Sequence, residues 1–341
     1  MTSGKGHMPS SDKLLWEAVS GISRFAALLT MAELGVADQL AHGPLDTEEL
    51  AARCGAHAPS LRRVLRELAG IGVVRPSGAD RYALTEEGSA LRSDIPGSIR
   101  SSMRMLGEES FWYAMGKLPD TVREGSSAFV TRYGELYEHL ARHPDISHIF
   151  DDYMTARADA FTRGLVTRYD FSGVGTMVDV AGGSGSILAT VLRANPGMRG
   201  ILLDLDHVVA HAGDVLAAEN LADRCEVVAG NFFDSVPSGG DVYLLASVLH
   251  NWGDDDAVRI LRNVRHAMKP GGRVLILEVV LPDDAEPHLG KDLDLRMLAI
   301  FNGGSERSRQ EYAQLFASAD LELGEVVELG AGASLLEAKP I

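Results

Sequence analysis

Val178-Asp179-Val180-Ala181-Gly182-Gly183-Ser184-Gly185-Ser186 runs from an apolar strand into the start of a helix. Glycines at such a turn let the chain reverse sharply and bring backbone N–H groups against a ligand. A dinucleotide fingerprint requires G-x-G-x-x-G. Gly183 and Gly185 supply its first half, but Leu188 stands at the last position. The stretch therefore predicts a nucleotide-binding turn rather than a pyrophosphate-binding one, and a purely structural tight turn is the lesser reading.

Working outward, short apolar runs alternate with helical stretches from about residue 171. Strands are expected at Thr176–Val180, Gly200–Leu203, Cys225–Ala229, Asp241–Ala246 and Arg273–Glu278, with helices near 186–194, 208–221 and 254–268. That alternation predicts an α/β fold with a parallel sheet covered on both faces. Asn302 to Ala319 is expected as a further helix. Gly324–Leu329 and Ser334–Lys339, parted only by Gly330-Ala331-Gly332-Ala333, are expected as an antiparallel hairpin, which departs from the ordinary dinucleotide fold.

Polar residues fall at the ends of successive strands. Asp204 lies 19 residues after Gly185 and is placed to accept hydrogen bonds from both ribose hydroxyls. Asn231, after the third strand, is suited to an adenine amino group, with a neighbouring Phe over the ring. Singly, each reads equally as a cap or turn residue; together they point to one crevice. His250 follows the fourth strand, where an imidazole can take a proton from a hydroxyl at neutral pH. A core histidine satisfied by backbone is the competing reading. Glu278 ends the fifth strand, and His250 is its obvious partner. Glu306 is expected at a helix start, where it reads as a first-turn acid or as part of the site. Asp254, Asp255 and Asp256 read as first-turn acids. His207 and His211 stand four apart, but a solvated face is preferred to a metal site, and His250 with Asn251 makes an unconvincing metal pair.

Upstream, residues 13–41 read as one helix, apolar on nearly every face, which predicts burial against a partner chain in preference to its own subunit. Residues 46–84 read as helix, turn, helix and hairpin, a winged helix with Asp46 or Thr47 capping its first helix. Arg62, Arg63 and Arg66 raise DNA binding. Residues 1–100 carry 11 Lys/Arg against 12 Asp/Glu, so a structural winged helix is preferred. Residues 100–165 are expected to be helical, with Met and aromatic side chains mostly in the core and some lining an apolar pocket.

The 341-residue chain carries a net charge of −16, which disfavours nucleic acid and anionic membranes as partners. Two cysteines, Cys54 and Cys225, make neither a disulfide framework nor a four-cysteine zinc site. No run approaches 18 consecutive apolar residues, so no membrane span is expected. Met1 to Asp12 has no apolar signal core and reads as partly a cloning remnant. A reducing cytoplasm is the expected location.

In combination the runs VDVAGGSGS, LLDLDHV, GNFFD, LLASVLHNWGDDDAVRILRNVRHAMKPGGRVLILE and DLRMLAIFNGGSERS resemble the plant-type small-molecule O-methyltransferases. They are especially similar to bacterial members that tailor aromatic polyketides and other natural products. The resemblance implies a Rossmann-like class I methyltransferase sheet over 166–341, a helical linker and substrate-pocket region over 101–165, and a winged-helix dimerisation domain over 1–100. It implies a homodimer with intertwined N-terminal helices and a small aromatic acceptor. S-adenosyl-L-methionine would be bound by Gly182, Gly183, Gly185, Asp204, Asn231, Phe232 and Ser247, with Arg157 at its methionine carboxylate. S-adenosyl-L-homocysteine would be the product, and no metal is implied. His250 would be the base, oriented by Glu278 and Glu306. Trp112, Met154, Met297 and Phe301 would line the acceptor pocket. Three positions depart from the family pattern: Asn231 where an acid is usual, Ser247 where many plant members have Lys, and Asn251 where Asp is frequent. Relatives with hydroxylating, C-methylating or rearranging chemistry, and a ligand-sensing winged-helix regulator, are the alternatives.

Overall fold

The computed structural model describes residues 12–341 apart from His211 and Ala331, and apart from the side chains of Asp159 and Ala160. The His207–His211 pair and almost all of the polar N-terminus therefore lie outside the described residues. Contacts divide the chain into two units. The described residues up to Glu109, with Ile149–Ala156, form one; Ser110–His148 with Arg157–Ile341 form the other.

In the first unit, the helix expected over 13–41 is two: α1 (Lys13–Glu33) and α2 (Val36–Leu40). Gly35 parts them at φ 63°, a left-handed conformation that costs glycine nothing. Ala27, Met31 and Ala32 are the buried residues of α1, whereas Leu14 is 75% exposed and Leu15, Trp16, Val19 and Ile22 are exposed with it. By length and composition alone α1 would also suffice to cross a membrane. The winged helix is present. Strands β1 (Leu45–Asp46), β2 (Val74–Pro76) and β3 (Arg81–Leu84) pair in the order β1-β3-β2, beside α3 (Thr47–Cys54) and α4 (Ala58–Gly70). The Asp46 carboxylate accepts the Glu49 N–H at 2.8 Å, capping α3 as its sequence predicts. On α4, Leu61, Leu65 and Leu68 face the core, and Arg62 donates to both oxygens of Asp80 at 2.7 and 2.6 Å. Helices α5 (Glu86–Ser89) and α6 (Arg100–Gly107) follow.

The second unit opens with α7 (Glu109–Gly116), α8 (Leu118–Glu124), α9 (Ala128–Tyr133), α10 (Leu136–Arg142) and α11 (Pro144–Arg168), the middle of α11 grouping with the first unit. Strands and helices then alternate as β4 (Thr176–Val180), α12 (Ser186–Ala194), β5 (Arg199–Asp204), α13 (Asp206–Val209), α14 (Ala212–Ala218), β6 (Cys225–Ala229), β7 (Val242–Ala246), α15 (Asp254–Ala267) and β8 (Arg273–Leu281). The chain closes with α16 (Leu289–Ile300), β9 (Arg307–Ser308), α17 (Arg309–Ser318), β10 (Leu321–Gly330) and β11 (Ala333–Pro340). The sheet order is β10-β11-β8-β7-β4-β5-β6, with β9 beside β8. Pairing is parallel from β8 to β6 and antiparallel through β11 and β10.

Successive strand residues face opposite sides. Met177, Leu202, Leu244, Leu275 and Leu277 enter one core, while Val178, Val180, Leu203, Tyr243, Leu245 and Ile276 enter the other. The chain leaves β4 to build β5 and β6 on one side and β7 and β8 on the other. The carboxyl ends of β4 and β7 thus flank the switch point where α/β sheets open a crevice.

Two expectations in this unit need correcting. The helix over 208–221 is two, α13 and α14. Residues 302–308 are not helical, because Gly303 takes φ 83° and Arg307–Ser308 pairs with β8. Helix α16 was not expected from the sequence.

Candidate active site

Two non-glycine residues hold positive φ at the switch point, Ala181 (58°) after β4 and Ser247 (55°) after β7. Such strain persists where the surrounding structure demands it, often at functional sites. At Gly182 an added Cβ would stand 2.5 Å from the carboxyl of Asp179 and from Leu202, so only glycine fits. Gly183, at φ 61°, would meet nothing within 4 Å. Gly185 (φ 79°) starts α12.

Asp204 reaches this turn from the end of β5. Its Oδ2 accepts the Gly183 N–H at 2.8 Å and its Oδ1 the Leu205 N–H at 2.7 Å. Burial raises this carboxyl above its ordinary range against the pull of those two donors. Asp179, a residue that sequence reasoning left without a role, is fully buried beneath the turn, and neither oxygen has a hydrogen-bond partner among the described residues. Burial, reinforced by the charge of Asp204, pushes it up to about 7.

His250 sits in a single 3-10 turn, Leu249–Asn251, beyond β7. Glu278 Oε1 accepts the N–H groups of Val248 and Leu249 at 3.0 and 2.9 Å and, more distantly, that of His250 at 3.4 Å. The other Glu278 oxygen lies 3.3 Å from His250 Nδ1, and Glu306 Oε1 lies 2.8 Å from the same nitrogen. His250, Glu278 and Glu306 are 3%, 2% and 3% exposed. Burial disfavours a charged imidazole, but the two carboxylates outweigh it and raise His250 above its ordinary value. Glu278 is raised by its own burial, partly offset by His250. Glu306 therefore belongs to this cluster and not to a helix start.

The turn is clamped from one side. Ser305 N–H donates to the His250 carbonyl at 2.8 Å. The buried guanidinium of Arg307 donates to the carbonyls of Leu249 (3.0 Å) and Trp252 (2.8 Å) and to Asp254 (3.0 and 2.8 Å). At Gly304 an added Cβ would come within 3.0 Å of the His250 carbonyl. Asp294 on α16 accepts the Glu306 N–H at 3.0 Å. Asn251 donates to the Tyr137 hydroxyl at 2.9 Å, and the Tyr137 ring lies 6.4 Å from that of Phe301. Burial, with Asp204 and Glu278 nearby, raises the Tyr137 phenol far above its ordinary value. Sequence reasoning missed Arg307, Asp294 and Tyr137 altogether.

The other expected residues are placed as follows. Asn231 follows β6 and its Oδ1 accepts the Phe233 N–H at 2.9 Å. Phe232 packs on Phe233 and edge-on to Trp252, with centroids 4.9 and 6.0 Å away. Arg157 lies over Phe161 at 5.5 Å, and its charge acts on His250. Met297 is buried on α16, just before Phe301. Trp112, on α7, is 44% exposed. Met154 lies in the part of α11 that groups with the first unit.

A glycine turn after β4, a buried acid at the end of β5 and a buried imidazole held by two carboxylates after β7 thus lie at the carboxyl edge of a sheet with the order of the class I methyltransferase fold. A family model described as an O-methyltransferase domain matches residues 115–322, and one described as an O-methyltransferase dimerisation domain matches residues 16–94. The chain is 40% identical to phenazine O-methyltransferase PhzM of Lysobacter antibioticus over 98% of both sequences. It is 36% identical to aclacinomycin 10-hydroxylase RdmB of Streptomyces purpurascens over 87% of this chain and 81% of that one. A solved structure of the O-methyltransferase NcsB1 from neocarzinostatin biosynthesis, holding S-adenosylmethionine and 2-hydroxy-5-methyl naphthoic acid, superposes with a TM-score of 0.85 at 34% identity, covering 98% of this chain and 100% of that one. The chain belongs to the O-methyltransferase family and is an enzyme of it.

Proposed function

We propose that this enzyme transfers the methyl group of S-adenosylmethionine to a hydroxyl of a small aromatic molecule, with His250 taking the hydroxyl proton. The observation that carries this reading is that both carboxylates meet one imidazole nitrogen, Nδ1. They orient the ring and stabilise its charged form, and they leave Nε2 as the nitrogen that faces neither acid. The cofactor suits the residues present. Gly182 admits no side chain, Gly183 has open space at its Cα, and each Asp204 oxygen retains accepting capacity beyond one backbone N–H. Asn231 and Phe232 would hold the adenine, Ser247 the strand-end contact and Arg157 the methionine carboxylate.

When bound, the cofactor supplies a methyl group already activated by positively charged sulfur. The chain must then align the acceptor oxygen, exclude water and remove a proton. Removal by His250 is worth about 10²–10⁴-fold. Met297, Phe301 and Trp112 would supply the apolar wall for a flat acceptor, in keeping with the phenazine and naphthoic acid of the relatives' names. Two copies would pair through the exposed apolar face of α1. With Cys54 and Cys225 both unpaired, a reducing cytoplasm suits the chain.

The test is incubation with methyl-labelled S-adenosylmethionine and a panel of hydroxylated naphthoates and phenazines. Label should appear in an aryl methyl ether. A hydroxylated, unlabelled product would replace this reading with that of the hydroxylating relative.

A further inference from the structure

Three ionisable side chains share one buried contact at His250 Nδ1, with Glu306 Oε1 at 2.8 Å and a Glu278 oxygen at 3.3 Å. With a neutral imidazole and two bare carboxylates this cluster would carry two negative charges, all three residues being 3% exposed or less. Water cannot screen them, and the second Glu306 oxygen has no hydrogen-bond partner among the described residues. Two carboxylates at hydrogen-bond distance from one group do not both stay ionised without a compensating proton or cation. Other elements present further groups. Arg157 on α11 is a cation whose charge reaches His250. Arg307 is engaged by Asp254 and two carbonyls. Tyr312 on α17 and Tyr137 on α10 are neutral phenols held far above their ordinary values by burial. Asp294 on α16, itself raised by burial, adds negative charge.

We infer that the His250–Glu278–Glu306 cluster holds one proton more than a neutral imidazole between two carboxylates, and releases it when a sulfonium, but not a neutral thioether, occupies the crevice. The inference rests on the methyl-transfer reading above. With the extra proton the cluster has a net charge of −1. A neutral thioether leaves that charge as it is. A sulfonium replaces the proton, so that cluster and ligand together again carry −1, and Nε2 is bare when the acceptor arrives. Proton transfer from the hydroxyl then restores the resting cluster as the sulfur loses its charge. The sum is acceptor hydroxyl plus sulfonium plus cluster (−2) giving methyl ether, thioether and protonated cluster (−1), so charge and protons balance. In-line transfer to an oxygen bonded to Nε2 places the sulfur about 7 Å from the ring. A unit charge at that range shifts a proton equilibrium by about tenfold or more at an effective dielectric near 20.

The two natural ligands isolate this effect, because S-adenosylmethionine and S-adenosylhomocysteine share adenine, ribose, ammonium and carboxylate and differ in the charge on sulfur. Each is titrated into the dimeric enzyme by calorimetry, from about pH 6 to about pH 9, in buffers of different ionisation heat, which counts the protons exchanged. S-adenosylmethionine should release more than S-adenosylhomocysteine, by about 0.5–1 proton at the maximum. In Glu306→Gln, which keeps the shape and removes a charge, the difference should fall below about 0.2 proton, and likewise in His250→Ala. Equal proton counts for the two ligands at every pH would overturn the inference and leave methyl transfer standing. So would a difference that survives both substitutions, since the proton would then come from elsewhere. Failure of both ligands to bind the wild type would remove the methyl-transfer reading itself.

Discussion

The carboxyl edge of the sheet and the helices α7–α10 belong to the same unit but are held by different forces. At the edge, directional bonds fix each functional group. Glu278 grips two backbone N–H groups besides His250, Arg307 holds two carbonyls and Asp254, and Asp204 holds the glycine turn. Among the helices the contacts are largely rings on rings. Phe129 lies 5.4 Å from both Phe111 and Tyr133, Tyr113 lies 5.7 Å from Tyr133, and Arg132 stacks 4.1 Å over Tyr113. Apolar ring packing tolerates changes of shape that a buried hydrogen-bond network does not. On the proposed reading the chemistry falls on the rigid side and acceptor choice on the adaptable side, so substitutions on the two sides should differ in kind as well as in size.

His250→Ala is the sharpest break. Methyl transfer should fall roughly 10²-fold or more on a weakly acidic hydroxyl, with the affinity for S-adenosylhomocysteine kept. Higher pH should restore part of the rate, because solvent then supplies deprotonated acceptor. Rates equal to wild type on such an acceptor would leave alignment alone to explain catalysis. Arg307→Lys comes next. An ammonium cannot reach both carbonyls and Asp254 in the fork geometry of a guanidinium. Buried carbonyls left unpaired cost about 1–3 kcal/mol each. Thermal unfolding should shift down, and kcat should fall more than acceptor KM rises, because the His250 turn loosens. A variant with wild-type melting and kcat would show that the edge does not depend on this clamp.

How much of this was legible depended on the kind of signal. Strands β4 and β6 fall on the residues read from the sequence, because buried parallel strands appear as short apolar runs between glycine and polar punctuation. His250, Glu278 and Asp204 were legible as polar residues at strand ends. The last part of the site was not. Asn302–Ala319 has helical composition, yet Gly303 at φ 83° and the close approach of Gly304 to the His250 carbonyl hold its first residues against the turn. Helix α16 interleaves Asp292, Asp294 and Arg296 with its apolar residues, so its period is weak. Arg307 and Asp294 acquire their roles from partners 53 and 12 residues away, which periodicity does not register.

Asp179→Asn tests the edge through pH. The folded carboxyl is pushed up to about 7, against about 3.9 in an unfolded chain. For an acid raised on folding, the stabilisation is fully present below about pH 4 and is lost as pH rises to about 7, at up to about 1.4 kcal/mol per pH unit. Asparagine has the shape of the protonated acid and no proton to lose. The wild type should therefore lose stability relative to the variant between pH 4 and 7, and the variant should be at least as stable at pH 8. Parallel stability profiles across that range would show that Asp179 is not held neutral under the glycine turn.

The smallest effect is expected where the two sides meet, from Phe301→Leu. The Phe301 ring faces Tyr137 at 6.4 Å and lies at the end of α16. Tyr137 in turn accepts the amide of Asn251, the residue after His250. The ring is thus linked to His250 through two residues, Tyr137 and Asn251. Leucine keeps an apolar surface but removes part of the flat face, a loss of about 1 kcal/mol of acceptor binding. That corresponds to a rise of about 5-fold in KM for a planar bicyclic acceptor, with kcat at saturation within about 2-fold of wild type. A smaller monocyclic phenol, which reaches less of the wall, should show a smaller rise. Steady-state kinetics on both acceptors decides the matter. Should kcat fall and KM stay constant, Phe301 would belong with the rigid edge, and the division between a fixed chemical side and an adjustable acceptor side would fail at the residue where the two meet.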